Sequence, residues 1–391
     1  MSYALGLRTR VASAIFAFFI LASTIVPRAF GAPAAGSSFV YVASSSERPS
    51  RGIYAYRFDS KTGKLTAIGK VADVVSAGFL ATDPHHRFLY VASDMDQDPK
   101  KTGFLSSYSI NSKTGALTLL NKADLDGGPC HLVVDNTGRI LFAANYGNGT
   151  VASFALKPDG SIGQKTGFDQ HTGKGPNAER QEGPHAHAVV LSPDNRFLFV
   201  PDLGSDQIKI YRVDVAKRTF TPNDPSFASV NPGLGPRHFV FGRGAKFAYA
   251  VCEMGSSVVV FAYDPVKGSL TPVQTISTLP AGFKGIDNSA EIDIGPTGRF
   301  LYASNRGHDS IAVFAIDPNQ GTVTKVQVAP SRGKIPRNFA LDPTGKYLLA
   351  GNQESDQLVV FTVDQTNGKL TPAGQVLDVP APDCILFVPA E

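Results

Sequence analysis

A short aromatic and aliphatic run that ends on a small or polar residue returns seven times along this 391-residue chain, at intervals of about fifty residues. It reads FVYVAS at 39–44, FLYVAS at 88–93, ILFAAN at 140–145 and FLFVPD at 197–202. It continues as FAYAVC at 247–252, FLYASN at 300–305 and YLLAGN at 347–352. Repeats of this period built from short strands predict an all-β seven-bladed β-propeller, one four-stranded antiparallel blade per repeat. The fifth repeat shows the pattern: strands over Arg237–Gly242, Phe247–Cys252, Ser257–Tyr263 and Leu270–Ile276, separated by turns. No helical period competes in the repeat region.

The repeats also predict how the ring closes. The first run, 39–44, matches the second strand of a blade, and the last, DCILFV at 383–388, matches a first strand with nothing after it. The C-terminus is therefore expected to supply the inner strand of blade 1, which ties down both chain ends. On this reading residues 33–391 are a single domain.

Residues 1–32 read differently. Arg8 and Arg10 precede a sixteen-residue apolar stretch, Val11–Val26, followed by small residues around Ala29-Phe30-Gly31. That layout predicts an export signal cleaved near Gly31 or Ala32, and hence a periplasmic or extracellular protein. The stretch is short for a membrane span of about 20 residues, so an uncleaved anchor is the lesser reading and no span is expected in the mature chain. Three of the net four positive charges belong to this segment, which holds Arg8, Arg10 and Arg28 and no acidic residue. Composition thus gives nucleic-acid binding no support. Cys130, Cys252 and Cys384 fall in blades 3, 5 and 1, which are not neighbours, so no internal disulfide is expected. A monomer is the default for a closed ring.

In a propeller the first strand of each blade lines the central channel, so equivalent positions converge on one mouth. One column runs Asp383, Gly78, Cys130, His187, Arg237, Ala290, Arg337 from blade 1 to blade 7, and the next runs Cys384, Phe79, His131, Ala188, His238, Glu291, Asn338. At the end of the second strand the columns include Asp202, Asn305 and Asn352, then Tyr146, Glu253, Arg306 and Gln353. Blades 4 to 7 therefore place His187, Arg237, His238, Glu253, Glu291, Arg306 and Arg337 around one rim. Arginine's planar fork binds a carboxylate or phosphate through two hydrogen bonds, so this cluster points to a small anion. The plainer alternative is a salt-bridged ring that holds the blades together. His185 and His187 form an HxH pair that could ligate a metal with Asp202 or Glu253, but nearby arginines would repel a cation. Acid–base work fits the pair better, and neither metal nor cofactor is expected. The long connection at 165–183 leads into His185 and reads as a lid or as a plain surface loop.

At these residues the chain resembles the seven-bladed lactonase family, the propeller-type 6-phosphogluconolactonases and their relatives the carboxy-cis,cis-muconate cyclases. The resemblance spans 38–388 and is carried by ERQEGPHAHAVVLSPDNRFLFVPDLGSDQI at 179–208, GPRHFVFG at 235–242, AYAVCEMGSSV at 248–258, RFLYASNRGHDSIAVF at 299–314 and IPRNFALDPTGKYLLAGNQESDQLVVF at 335–361. It implies a reaction centre of one histidine, two arginines and a glutamate, which fall on His187, Arg237, Arg306 and Glu253. His185, Asp202, His238, Glu291, Asn305, Arg337 and Gln353 are the expected substrate-binding neighbours. The expected activity is hydrolysis of a small anionic or polyhydroxylated sugar lactone, with Glu253 or His187 as the base. A lactone-forming cycloisomerase and a non-catalytic exported ligand-binding propeller are the alternatives.

Overall fold

The computed structural model describes Met1 and residues 36–45, 51–94 and 102–391. The expected leader at 1–32, Met1 aside, lies outside the described residues. From residue 37 onward the described chain forms seven four-stranded antiparallel sheets and, among the described residues, no helix. Blade 5 is typical, with strands Pro236–Phe241, Phe247–Cys252, Ser257–Asp264 and Ser269–Ser277. The sequence places each within about two residues. The last strand, Pro382–Pro389, pairs with Ser37–Ser44, setting Phe387 opposite Val40 and Ile385 opposite Val42. Blade 1 is thus completed from both ends of the chain, as the repeats predict.

The core lies between blades. Phe197, Phe199 and Ile208 of blade 4 pack on Phe239, Ala250 and Phe261 of blade 5, and equivalent clusters fill other seams. Burying a side chain of this size is worth roughly 1.5–3 kcal/mol, so the seams, more than any single sheet, hold the ring.

One seam contact explains the glycines that recur in the turns between third and fourth strands. The glycines there, among them Gly115, Gly160, Gly321 and Gly368, adopt left-handed φ between 70° and 85°. A Cβ on any of them would fall within 2.7 Å of a ring from the preceding blade: Phe39, Phe88, Phe247 and Phe300 respectively. These rings are the first residues of the sevenfold run. Two positions later in the same runs, the hydroxyls of Tyr41, Tyr90, Tyr249 and Tyr302 donate to the carbonyls of those four glycines at 2.9–3.1 Å. The turn signature and the run are therefore two halves of one contact. Blade 4 departs at both halves: its turn carries Arg218 at φ 58°, and the run of blade 3 begins with Ile140, not an aromatic.

The tyrosine position is Phe142 in blade 3 and Phe199 in blade 4. The two seams flanking blade 4 use other donors. The Thr166 hydroxyl bonds the Arg218 carbonyl, and Asn223 Nδ2 bonds the Lys267 carbonyl at 2.9 Å.

This contact makes a paired prediction. Gly321→Ala strains the backbone by about 1–3 kcal/mol and overpacks Phe247 by a similar amount. Gly244→Ala has comparable φ (79°) but open space around its Cβ and carries only the first cost. Urea midpoints should fall clearly further for Gly321→Ala, and equal shifts would count against the seam role.

Candidate active site

The channel mouth is built by a repeated irregularity. In blade 5, Pro236 pairs with Cys252 and His238 with Val251, leaving Arg237 as an extra residue between them. The same bulge leaves out Gly78, Cys130 and Arg337 in blades 2, 3 and 7, and Asp383 in blade 1. A bulge bends its strand and re-aims the extra side chain. Here it turns the first column of residues into the mouth. Pro129, Pro236, Pro336 and Pro382 stand just before four of these bulges, where the missing N–H disturbs little. Blade 4 goes further. Its inner strand shrinks to Val190–Leu191, and His187 is held by its N–H on the Pro201 carbonyl at 2.9 Å.

Glu253, at the exit of the second strand of blade 5, is the centre of the cluster. Its Oε2 accepts from Arg237 Nε at 3.0 Å and Arg306 Nη2 at 2.8 Å, and its Oε1 from Arg180 Nη2 at 2.6 Å. Burial alone would raise its carboxyl, but Arg306, Arg237 and Arg180 more than offset that and hold it at about 2. Glu253 is therefore a permanent anion. Burial and the neighbouring Arg306 and Arg337 lower Arg237 to about 10, although Glu253 and Glu291 act in the other direction. His187 Nε2 lies 4.0 Å from Glu253 Oε2. Burial, then Arg237, His238 and Arg337, pushes its imidazole well below the ordinary 6.5, so His187 is neutral near pH 7.

Arg237 is fixed from its other side as well. Its Nη1 donates to the Ala290 carbonyl at 2.8 Å and meets His238 Nε2 at 3.2 Å. A guanidinium cannot accept, so His238 offers a lone pair there and carries its proton on Nδ1, 2.9 Å from Glu291 Oε1. Glu291 Oε2 takes the amide N–H of Asn338, whose own oxygen is fixed by the Ile385 N–H at 2.9 Å. This chain of bonds crosses from blade 5 through blades 6 and 7 to the closing strand. Burial raises Glu291 to about 7 against the pull of Arg237.

The other expected residues divide. His185 is buried, stacked on Tyr146 at 4.5 Å, with Nδ1 on the Tyr146 carbonyl at 2.9 Å. Arg337 pairs with Asp383, and Gln353 Nε2 donates to the same Asp383 oxygen at 3.0 Å, joining blade 7 to blade 1 at the rim. Asp202 and Asn305, expected to touch substrate, are fully buried below the rim. Asp202 accepts the N–H groups of His185 (3.0 Å) and Ser205 (2.9 Å) and pairs with His171 Nδ1 at 2.5 Å. Asn305 is taken up by Ser289, Thr278 and Ser310. Both are fully buried with their polar atoms engaged within the protein, which is the geometry of scaffold residues.

Two residues at the site are not among the candidates that the sequence singles out. Tyr146 stands in the same column as Glu253, but a search for ionisable groups passes over a phenol. The strand Ile162–Gln170 takes up the first part of the stretch read as a connection at 165–183. Arg180 sits on the remainder, outside every column, and only its neighbourhood to GPHAH points to it. That connection is strapped down: Gln181 is fully buried with Nε2 on the Leu203 carbonyl at 2.9 Å, and Asn177 Oδ1 accepts the Glu179 and Arg180 N–H groups.

Among the described residues no three His, Cys, Asp or Glu side chains converge as metal ligands. A cleft of about 460 Å³ between blades 5 and 6, lined by Arg243, Tyr249 and Arg299, opens among the turns of the opposite face and holds none of this cluster.

The family model for the seven-bladed β-propeller lactonases matches residues 39–387. The chain is 34% identical over 349 residues to the 6-phosphogluconolactonase of Bacillus subtilis, covering 89% of this chain and 97% of that one. It is 34% identical over 302 residues to the 6-phosphogluconolactonase of Formosa agariphila, covering 76% and 84%. Among solved structures, the periplasmic gluconolactonase PpgL of Pseudomonas aeruginosa is 33% identical with a TM-score of 0.85, over 90% of this chain and 99% of that one.

Glu253→Gln would leave three guanidiniums around a neutral amide. Breaking a buried pair this way costs about 3–5 kcal/mol. The carboxyl's folded value lies below its ordinary value, so its contribution is complete above the ordinary value and fades as pH falls toward about 2. The melting-temperature gap between wild type and Glu253→Gln should be widest above pH 5 and close on acidification. A gap independent of pH would contradict the pairing.

Proposed function

This chain belongs to the seven-bladed β-propeller lactonase family, and we propose that it opens a small sugar-type lactone with water. The observation that carries the proposal is a neutral buried imidazole, His187, set 4.0 Å from a carboxylate that cannot itself take a proton near neutral pH. The roles divide accordingly. Water attacks the lactone carbonyl carbon while His187 takes its proton. The imidazolium that forms is stabilised by Glu253. Negative charge gathers on the carbonyl oxygen, and Arg237 with Arg306 faces it as preorganised donors. The ring C–O bond then breaks, and His187 returns the proton to the departing ring oxygen. The product is the open hydroxy acid.

Glu253 serves as the anchor of the arginines instead of the base, which narrows the two candidates that the sequence offers. The relatives named as 6-phosphogluconolactonases and as a gluconolactonase favour hydrolysis over lactone formation, and carbohydrate metabolism as its setting. The leader expected at 1–32 and the periplasmic description of the Pseudomonas relative favour action outside the cytoplasm. No helix among the described residues is long and apolar enough to cross a membrane.

His187→Asn removes the base and should lower kcat by about 10²–10⁴ on glucono-δ-lactone or 6-phosphogluconolactone, after correction for spontaneous opening. In the wild type, kcat/KM should fall as pH drops through a value below 6.5, because the base works only unprotonated. Full activity in His187→Asn would rule this mechanism out.

A further inference from the structure

We propose that Arg180 and Tyr146 form an anion subsite at the entrance, which selects lactones carrying a second, remote anionic group, a phosphate monoester or a carboxylate. The inference rests on the lactonase reading above and adds the residues that choose among charged and uncharged lactones.

The argument starts from charge. Arg180, Arg237 and Arg306 share one carboxylate, which leaves two positive charges unmatched within the cluster. Arg337 adds nothing to the excess, because Asp383 is paired with it. Two of the three guanidiniums have a further partner on the backbone. Arg237 also bonds Ala290, and Arg306 bonds the Asn288 carbonyl at 3.1 Å. Arg180 differs. Its side chain is 39% exposed, against 3% for Arg237 and 14% for Arg306. Only its Nη2 is engaged, on Glu253 Oε1 and on the Tyr146 hydroxyl oxygen at 3.3 Å. Among the described residues its Nε and Nη1 meet no acceptor.

Tyr146 completes the subsite. Its oxygen accepts from Arg180, so its own O–H is left to donate. The ring is held by the stack on His185 and by an edge contact with His187 at 5.3 Å. Burial raises the phenol above its ordinary value, so the donor proton is retained. One part-exposed cationic fork and one hydroxyl then stand side by side, 3.3 Å apart. Charge-assisted bonds of this kind are the way proteins hold phosphate and carboxylate.

Placement sets the specificity. Arg180 approaches Glu253 through Oε1, while Arg237 and Arg306 approach through Oε2. An anion on Arg180 therefore sits across the carboxylate from the arginines that face the reacting carbonyl. The strapped connection around Asn177 and Gln181 fixes the backbone that carries Arg180. A lactone bearing its charge several atoms from the carbonyl spans the two.

The test compares kcat/KM for 6-phosphogluconolactone, a glucaric acid monolactone and uncharged glucono-δ-lactone, in wild type, Arg180→Gln, Arg180→Lys and Tyr146→Phe. The ratio of each charged lactone to the neutral one should fall roughly 10- to 100-fold in Arg180→Gln, chiefly through KM, as expected for a lost charge-assisted bond. Arg180→Lys should restore part of it. A fall confined to the phosphorylated or to the carboxylated lactone supports the subsite and names its group. An unchanged ratio overturns it, including the case where all three substrates lose equally because Arg180 only braces Glu253. Calorimetric titration with 6-phosphogluconate separates this from the activity itself. If no lactone is turned over by wild type, the hydrolase reading fails, yet binding that weakens in Arg180→Gln still upholds the subsite and binding that persists overturns it.

Discussion

A buried guanidinium is costly in a protein unless a carboxylate neutralises it, and in this molecule one carboxylate answers for two buried guanidiniums and a third that is part-exposed. Glu253 joins Arg237 and Arg306 on one oxygen and Arg180 on the other. Such clusters are a poor way to gain stability, since desolvation opposes the Coulomb attraction and an apolar packing would do as well or better. They are a good way to prepare a site. The excess positive charge is present before any substrate arrives, and it is held by the ring instead of by mobile side chains. The neutral imidazole of His187 follows from the same field: Arg237 and Arg337 disfavour its charged form, and burial disfavours it further.

Everything around that cluster serves to aim it. The glycine turns and aromatic runs lock blade to blade, and the closing strand Pro382–Pro389 pairs with Ser37–Ser44. The bulges then convert a regular sheet edge into a mouth. Without the extra residue, Arg237 and Arg337 would continue the alternation of their strands. With it they leave the ladder, and so does Asp383 of the closing strand. The bond chain from Ile385 through Asn338, Glu291 and His238 to Arg237 links ring closure to the orientation of the arginine nearest the chemistry.

The repeats alone were enough to read the architecture, because strand period, turn chemistry and copy number are local properties of a sequence. The rim is also largely legible: columns of equivalent positions bring His187, Arg237, Glu253, Arg306 and Arg337 together from sequence alone. Depth is not. Asp202 and Asn305 share a column with Asn352, and all three are fully buried; whether a polar side chain at a strand end faces water depends on what the adjoining loops donate to it. The bulges were hidden too, since one inserted residue barely disturbs a period of two over six positions. The prolines at 129, 236, 336 and 382 were the available sign. Arg180 was least accessible, because a loop residue's reach is set by how its backbone is strapped, and that depends on distant contacts such as Gln181 with Leu203.

The central claim is that Glu253 and Arg237 act as one unit in binding and polarising the substrate. A double-mutant cycle on kcat/KM for the best lactone, built from Glu253→Gln, Arg237→Gln and the pair, measures this directly. If the two are one unit, the double variant should be little worse than the poorer single, with a coupling of roughly 1.5 kcal/mol or more, as close charge pairs give. Losses that simply add would show two independent residues, and the account built on their pairing would be wrong.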